Sequence, residues 1–235
     1  MVSTVIKNWD NKTWLSSSDY IKSFNKFLLK QIKLNFNSRI IDIGCGRGRI
    51  LGALSSKLRL IRKPLGIDII NHKDKDKRIN FKRISALTFL RNNKIKFDLI
   101  LIKQTIHLLN LKDIKKLLSL SMKNLNKNGK ILIFTLDPIK NELPTFKLMK
   151  IELIKSFQRD KKILKQITKL YPHRKSKFIY KVNINKNKYL DMIQKRYIST
   201  LLPLNEREIK DGVKQINSKY KDQIKFSDKL ICLSL

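Results

Sequence analysis

The stretch RIIDIGCGRG, residues 39–48, decides the fold. Its first half is a short apolar run that predicts a buried strand, and its second half places glycine at positions 44, 46 and 48. The whole chain has seven glycines, and four of them fall within residues 44–52. Glycine allows tight turns and brings backbone within contact distance of a ligand. The stretch therefore predicts a strand, a tight turn and a helix over 47–57.

The glycine spacing is GxGxG, whereas a pyrophosphate-binding dinucleotide loop has GxGxxG. Gly52 does not restore that spacing, because it lies a full turn into the predicted helix. The next predicted strand, KPLGIDII (63–70), contains Asp68, 20 residues after Gly48. A carboxylate there can accept both hydroxyls of an adenosine ribose. The alternative interpretation is that these are turn glycines and a helix-capping aspartate.

Strands and helices alternate over the first two thirds of the chain, which predicts a parallel sheet covered on both faces. After Pro138 the alternation breaks. The predicted strands are 39–43, 63–70, 79–84, 97–102, a fifth within 125–138 that follows a turn at Asn128-Gly129, 178–184 and 225–235; the predicted helices are 17–34, 47–57, 86–92, 111–126, 145–170, 189–202 and 205–220.

The glycine turn and its surroundings resemble the class I S-adenosylmethionine-dependent methyltransferases over residues 38–138. The family's first motif, an acidic residue followed by GxGxG, is matched by Asp42 and the glycines at 44, 46 and 48, and its ribose-binding acid by Asp68. FDLILIKQTIHLL (97–109) resembles the fourth motif. LNKNGKILI (125–133) resembles the fifth-strand signature, with Asn-Gly where Gly-Gly is usual.

The resemblance implies an α/β fold with a Rossmann-like, seven-stranded, mostly parallel sheet, helices on both faces, an N-terminal helix and a helical insertion after strand five. We expect a single domain made of an N-terminal helical lid (1–37), a cofactor-binding core (38–138), a helical cap insertion (139–176) and C-terminal strands and helices (177–235).

The resemblance also implies S-adenosylmethionine as the cofactor, with S-adenosylhomocysteine as the product. The two cysteines do not form the pattern of a zinc site, and we expect no metal. In many members an acidic residue meets the adenine amine where this chain has Ser85-Ala86, and the residues after strand four line the methionine moiety. The implied cofactor-binding residues are Asp42, Gly44, Cys45, Gly46, Gly48, Asp68, Ile69, Ser85, Ala86, Lys103 and Gln104.

The residues that would bind the methyl acceptor are marked by weaker motifs than those for the cofactor. By the resemblance, His107 lies near the crevice, where it either lines the active site or packs on the next helix; a role in proton transfer is the less favoured interpretation. Tyr171 and Arg174 follow the long predicted helix and could meet an anionic substrate or form a polar turn. The C-terminal segment loosely resembles bacterial small-molecule methyltransferases of the trans-aconitate type, which would bring Arg196 and Tyr197 near the substrate.

The net charge of +35 invites a nucleic-acid interpretation. Residues 1–138 carry 29 basic and 9 acidic groups, and residues 139–235 carry 24 and 9, so the excess is spread evenly along the sequence. A solvated basic surface, including His72 in a charged loop, explains this better than a dedicated phosphate-binding face. Two cysteines suggest reduced thiols, and no apolar run of about 18 residues predicts a membrane span. We expect a cytoplasmic protein without a membrane partner.

These observations predict methyl transfer to a small-molecule metabolite by in-line displacement. Two alternatives stay open. An RNA methyltransferase would use the same core and the basic surface, although no proline-aromatic acceptor motif follows strand four, where IKQT stands. A non-catalytic binding protein could retain the fold.

Overall fold

The computed structural model describes residues 13–235, which form a three-layer α/β fold. Its single sheet has the strand order β3-β2-β1-β4-β5-β7-β6. The first five strands are parallel, and β7 runs antiparallel to both of its neighbours. The predicted seven-stranded, mostly parallel sheet is therefore confirmed. The first twelve residues of the predicted lid lie outside the described part of the chain.

The strands are β1 (Ile40–Ile43), β2 (Leu65–Asp68), β3 (Asn80–Arg83), β4 (Phe97–Lys103), β5 (Leu125–Leu136), β6 (Arg174–Asn185) and β7 (Gln223–Ser234). The helices are α1 (Ser18–Gln31), α2 (Arg49–Leu58), α3 (Ala86–Asn92), α4 (Leu111–Lys123), α5 (Lys147–Leu170), α6 (Lys186–Gln194) and α7 (Glu206–Lys219). Residues 44–48, between β1 and α2, are called the glycine loop below. The parallel strands run from an amino edge to a carboxyl edge, where this loop lies.

Alternating side chains of the central strands fill two cores, one on each face of the sheet. On one face, Tyr20, Phe24 and Leu28 of α1 are spaced four residues apart and pack against β4, β5 and β6. The Ser17 hydroxyl begins this helix by accepting the Tyr20 N–H at 3.2 Å. The opposite face is covered by α3, α4 and the second half of α5, whose Ile163 is buried there.

A third apolar cluster lies beyond the carboxyl edge. Strands β6 and β7 pair over twelve residues, but β5 pairs with β7 only over Leu132–Leu136, so the far end of the hairpin projects past the sheet. This end packs against α6, α7 and the start of α5, including the buried residues Phe146 and Met149. Below, the cap means α6, α7 and the residues between them; it is distinct from the cap insertion expected over residues 139–176. A capping box of Asn205 and Glu208 begins α7.

Several sequence-based boundaries are wrong. The predicted helix over 189–202 is the shorter α6 followed by a 3-10 turn at Ser199–Leu201, because Arg196 adopts a left-handed φ of 52° between them. The predicted turn at Asn128-Gly129 lies inside β5, at a register shift against β4. His72 is only 6% exposed rather than solvated.

Candidate functional site

The glycine loop has a backbone conformation that its three glycines make possible. Gly44, Gly46 and Gly48 have φ of 72°, 55° and 72°, in the left-handed region that strains other residues. The Gly44 N–H donates to the Ile67 carbonyl at 2.8 Å and so joins the loop to β2. A Cβ on Gly44 would lie 2.3 Å from Oγ1 of Thr105. The GxGxG spacing thus matches both the backbone angles and the close approach of the residues after β4.

Asp68 ends β2 directly beside this loop. Its Oδ2 accepts the Gly46 N–H at 2.9 Å, and its Oδ1 accepts the Ile70 N–H at 2.9 Å. Each carboxylate oxygen has further lone pairs that can accept a hydroxyl. The next residue, Ile69, exposes 59% of its surface at the same edge. The structure therefore brings a fixed carboxylate and an uncovered apolar side chain together beside the glycine loop.

Buried charged side chains lie on the α1 face, next to the loop. Asp42 of β1 is 5% exposed, and its Oδ1 has no hydrogen-bond partner among residues 13–235. Lys103 ends β4 on the same face, with its Nζ 2.9 Å from Oε1 of Gln104. Asp228 of β7 is also 5% exposed and accepts a 3.2 Å hydrogen bond from Nε1 of Trp14. The sheet thus gathers two carboxylates and an ammonium group near its carboxyl edge.

These groups shift one another's ionisation. Burial raises the pKa of Asp42 to about 7; Lys103 opposes this rise, and the Asp68 carboxylate adds to it. Burial also raises the pKa of Asp228, against the influence of Lys103 and of the hydrogen bond from Trp14. A cationic ligand group beside Asp42 would favour its ionised form.

The residues after β3 and β4 complete the edge. The Ser85 hydroxyl caps α3 by accepting the Thr88 N–H at 3.2 Å, and it also forms a 2.7 Å hydrogen bond with Oγ1 of Thr88. Ala86 begins α3 and packs partly against the core. Gln104 has a left-handed φ of 50° and donates its N–H to the Phe134 carbonyl at 2.7 Å, which fixes the turn beside Gly44.

His107 lies in a 3-10 turn, Ile106–Leu108, between β4 and α4. Its pKa is lowered to about 4, mainly by desolvation and also by the positive charge of Arg159 on α5. The imidazole is therefore neutral at physiological pH. Arg159 of α5 therefore lies near His107, the residue that the sequence analysis proposed on the acceptor side.

The four predicted substrate residues divide into two groups. Arg196 and Tyr197 lie in the cap, between α6 and the following 3-10 turn, and Tyr197 packs partly against the cap's apolar cluster. Arg174 begins β6, four strands from β1, which is roughly 19 Å at about 4.8 Å per strand. Tyr171 packs against the core at the end of α5. The fold does not bring this second pair to the glycine loop.

Sequence reasoning missed three residues near the site. Asp228 lies near Lys103 only because the strand order puts β7 beside β5, and Trp14 reaches Asp228 because the chain before α1 crosses this face. Arg159 reaches His107 through the packing of α5. Nothing in the local sequence around these residues signals such contacts.

Neither cysteine is in a disulfide: Cys45 is half-buried in the glycine loop and Cys232 is buried in β7. No cluster of three side chains within residues 13–235 could hold a metal ion. Likewise, no helix in that part of the chain is long and apolar enough to cross a bilayer.

Comparison with known proteins gives fold relatives at low sequence identity. No protein-family model matches the chain, and no curated protein matches its sequence. A putative methyltransferase from an antibiotic biosynthesis pathway of Anabaena variabilis superposes with a TM-score of 0.61 at 16% identity, covering 90% of this chain and 96% of that one. A SAM-dependent methyltransferase of Geobacter sulfurreducens, solved with S-adenosylhomocysteine, gives 0.56 at 13% identity, covering 99% and 98%.

One structural match with the same architecture is named as a decarboxylase and not as a methyltransferase. Precorrin-8w decarboxylase of Methanobacterium thermoautotrophicum superposes with a TM-score of 0.51 at 9% identity, covering 90% of this chain and 88% of that one. Fold alone therefore does not specify the reaction. What the strand order and the structural matches establish together is that this chain has the fold of the class I S-adenosylmethionine-dependent methyltransferases.

Proposed function

We propose that this protein binds S-adenosylmethionine and transfers its methyl group to a small-molecule metabolite. The observation that carries the proposal is the buried, unpartnered Oδ1 of Asp42 beside the glycine loop. A buried carboxylate oxygen without a hydrogen bond is costly, and an ammonium group of a ligand would satisfy it. S-adenosylmethionine carries such a group on its methionine moiety.

The neighbouring residues fit the rest of this cofactor. Asp68 would accept the ribose hydroxyls, and the exposed Ile69 side chain would contact the adenine ring. Ser85 would meet the adenine amine with its second lone pair, which is available when its O–H donates to Oγ1 of Thr88. The backbone of the glycine loop and the turn at Lys103-Gln104 would contact the methionine moiety and the sulfonium.

When bound, the cofactor supplies an electrophilic methyl group whose leaving group is a neutral thioether. The protein's contribution is to align the acceptor and to exclude water. His107, with its pKa lowered to about 4, is a weak base and would contribute by contact rather than by removing a proton.

The cap supports a small acceptor. Helices α6 and α7 lie past the carboxyl edge on the projecting hairpin, where an acceptor must approach, and Arg196 and Tyr197 lie between them. The match from Anabaena variabilis is named as a putative methyltransferase from an antibiotic biosynthesis pathway. We propose Arg196 and Tyr197 as acceptor contacts; Tyr171 and Arg174, at the other end of β6, are the weaker candidates.

The test has two stages. Calorimetry first measures S-adenosylhomocysteine binding to the wild type and to Asp42→Asn, which keeps the shape but removes the charge. We expect micromolar or tighter binding by the wild type and at least tenfold weaker binding by the variant. Equal binding by both would remove Asp42 from the site.

The second stage incubates the protein with methyl-labelled cofactor and separate metabolite and RNA fractions. Label in the metabolite fraction is the expected result. Label in RNA would establish the RNA alternative instead. Binding of the cofactor without transfer to either fraction would favour a non-catalytic binding protein.

A further inference from the structure

The amino edge of the sheet, opposite the glycine loop, is formed by connections rich in basic residues. Three of them precede the neighbouring strands β2, β1 and β4 and span residues 59–64, 32–39 and 93–96. These connections contain no Asp or Glu. Their basic residues are Lys33, Arg39, Arg59, Arg62, Lys63, Lys94 and Lys96.

The basic excess is spread evenly along the sequence, but in the fold it differs between the two edges of the sheet. The four longer connections at the carboxyl edge, residues 44–48, 69–79, 104–110 and 137–146, carry six basic and four acidic residues. An acidic side chain at the amino edge is Asp98, the second residue of β4. Both of its oxygens accept hydrogen bonds, from the Arg39 N–H at 2.7 Å and from Nδ2 of Asn126 at 2.6 Å. Asp98 keeps its negative charge, but no salt bridge within residues 13–235 joins a carboxylate to any of the seven basic side chains.

The same three connections each expose one large apolar side chain. Phe36, Ile61 and Ile95 are 54%, 65% and 51% exposed. The Ile61 N–H donates to the Phe36 carbonyl at 2.9 Å, which places these two residues side by side. An exposed aromatic ring next to an aliphatic side chain is a surface on which a nucleic-acid base can stack.

Between the strand beginnings lies a groove with a volume of about 880 Å³. Four cationic residues line it: Arg39, Arg62, Lys63 and Lys82. The amide side chains of Asn80 and Asn93 line it as well, and none of the lining residues is acidic. Guanidinium, ammonium and amide groups are the donors that bind phosphate oxygens.

We propose that the amino edge binds single-stranded RNA, with phosphates in this groove and a base on Phe36 and Ile61. Cationic grooves that track the backbone, combined with stacking surfaces for bases, are the usual means of binding single strands. An anionic membrane would also attract basic and apolar groups, but a flat bilayer contacts groups that protrude, and here the cationic residues line a recess. The site lies at the edge opposite the glycine loop, so the proposal does not make RNA the methyl acceptor.

The test compares two pairs of substitutions that remove the same charge. Arg39→Gln/Arg62→Gln alters the groove, and Arg207→Gln/Lys210→Gln alters exposed positions on α7 of the cap. Binding of a labelled, unstructured RNA of about 20 nucleotides is measured by fluorescence anisotropy over a range of salt around 150 mM. Thermal unfolding and S-adenosylhomocysteine binding serve as controls for folding.

We expect the groove pair to weaken RNA binding at least fivefold and to reduce the slope of log K against log salt by about 1.4, as loss of two phosphate contacts requires. The cap pair should leave the slope nearly unchanged. Phe36→Ser should weaken binding at least fivefold without changing the slope, because about 1 kcal/mol or more of stacking is lost.

Three outcomes would overturn the proposal. The first is an equal loss in the groove and cap pairs, which would mean that RNA responds only to net charge. The second is wild-type binding too weak to measure at about 150 mM salt. The third concerns vesicles that contain phosphatidylserine. If these vesicles bind the wild type but not the Arg39→Gln/Arg62→Gln variant, while RNA binds the two proteins equally, the partner is a lipid surface.

Discussion

Replacing Asp68 by alanine tests the cofactor site most directly. The carboxylate accepts two backbone N–H groups at 2.9 Å, and in the proposed complex it would also accept two ribose hydroxyls. A hydrogen bond to a charged group contributes about 1.5 to 3 kcal/mol, so loss of even one ribose contact corresponds to about tenfold in affinity. Loss of the bond from Gly46 also loosens the glycine loop. We therefore expect S-adenosylhomocysteine to bind between tenfold and a few hundredfold more weakly.

The matched control is Asp98→Ala. Asp98 also accepts two hydrogen bonds, one of them from backbone, but lies at the opposite edge of the sheet. Both variants should lose about 1 to 3 kcal/mol of unfolding free energy, whereas only Asp68→Ala should lose cofactor affinity. Calorimetry and denaturant unfolding measure the two quantities separately. Unchanged affinity in a folded Asp68→Ala protein, or an equal loss in both variants, would refute this account of the site.

Three further predictions concern residues around the loop. His107→Ala should lower turnover less than about a hundredfold and leave cofactor affinity unchanged; a larger loss together with a vanished acidic limb near pH 4 in the rate profile would identify a general base instead. Gly44→Ala should destabilise the fold by about 2 to 4 kcal/mol through its left-handed φ and its contact with Thr105, and a melting temperature equal to the wild type's would contradict this. Because the pKa of Asp42 is raised to about 7, its carboxyl group is protonated in the free protein below that pH. The group must ionise to pair with an ammonium group. Affinity for S-adenosylhomocysteine should therefore rise from pH 6 to 8 in the wild type and not in Asp42→Asn.

The fold was predictable where its determinants are local. A strand followed by GxGxG specifies a turn whose backbone angles only glycine adopts freely, and Asp68 follows from the position of the next strand. Asp228 was not predictable, because its approach to Lys103 depends on β7 lying beside β5. The break after α6 was missed because the left-handed residue there is Arg196 rather than glycine. Each missed feature depends on long-range packing or on a conformation that the residue type disfavours.

The distribution of surface charge depends on long-range packing in the same way. Counted along the sequence, the basic excess is uniform and indicates nothing about a partner. Folding places the ends of α1, α2 and α3 at one edge of the sheet, and the basic residues of three separate segments become neighbours there. Surface charge is therefore a property of the topology as much as of the composition.

The interior position of β7 determines when the sheet can be completed during synthesis. Strands β1 to β5 are contiguous in the sheet and can assemble as the ribosome releases them, but β6 is joined to them only through β7. The twelve residues of β6 must therefore wait, with their backbone hydrogen bonds unmade, until residues 223–234 have left the exit tunnel. An unpaired strand of this length can pair with another nascent chain. Its four basic residues, at 174, 175, 177 and 181, would repel such a pairing until β7 arrives.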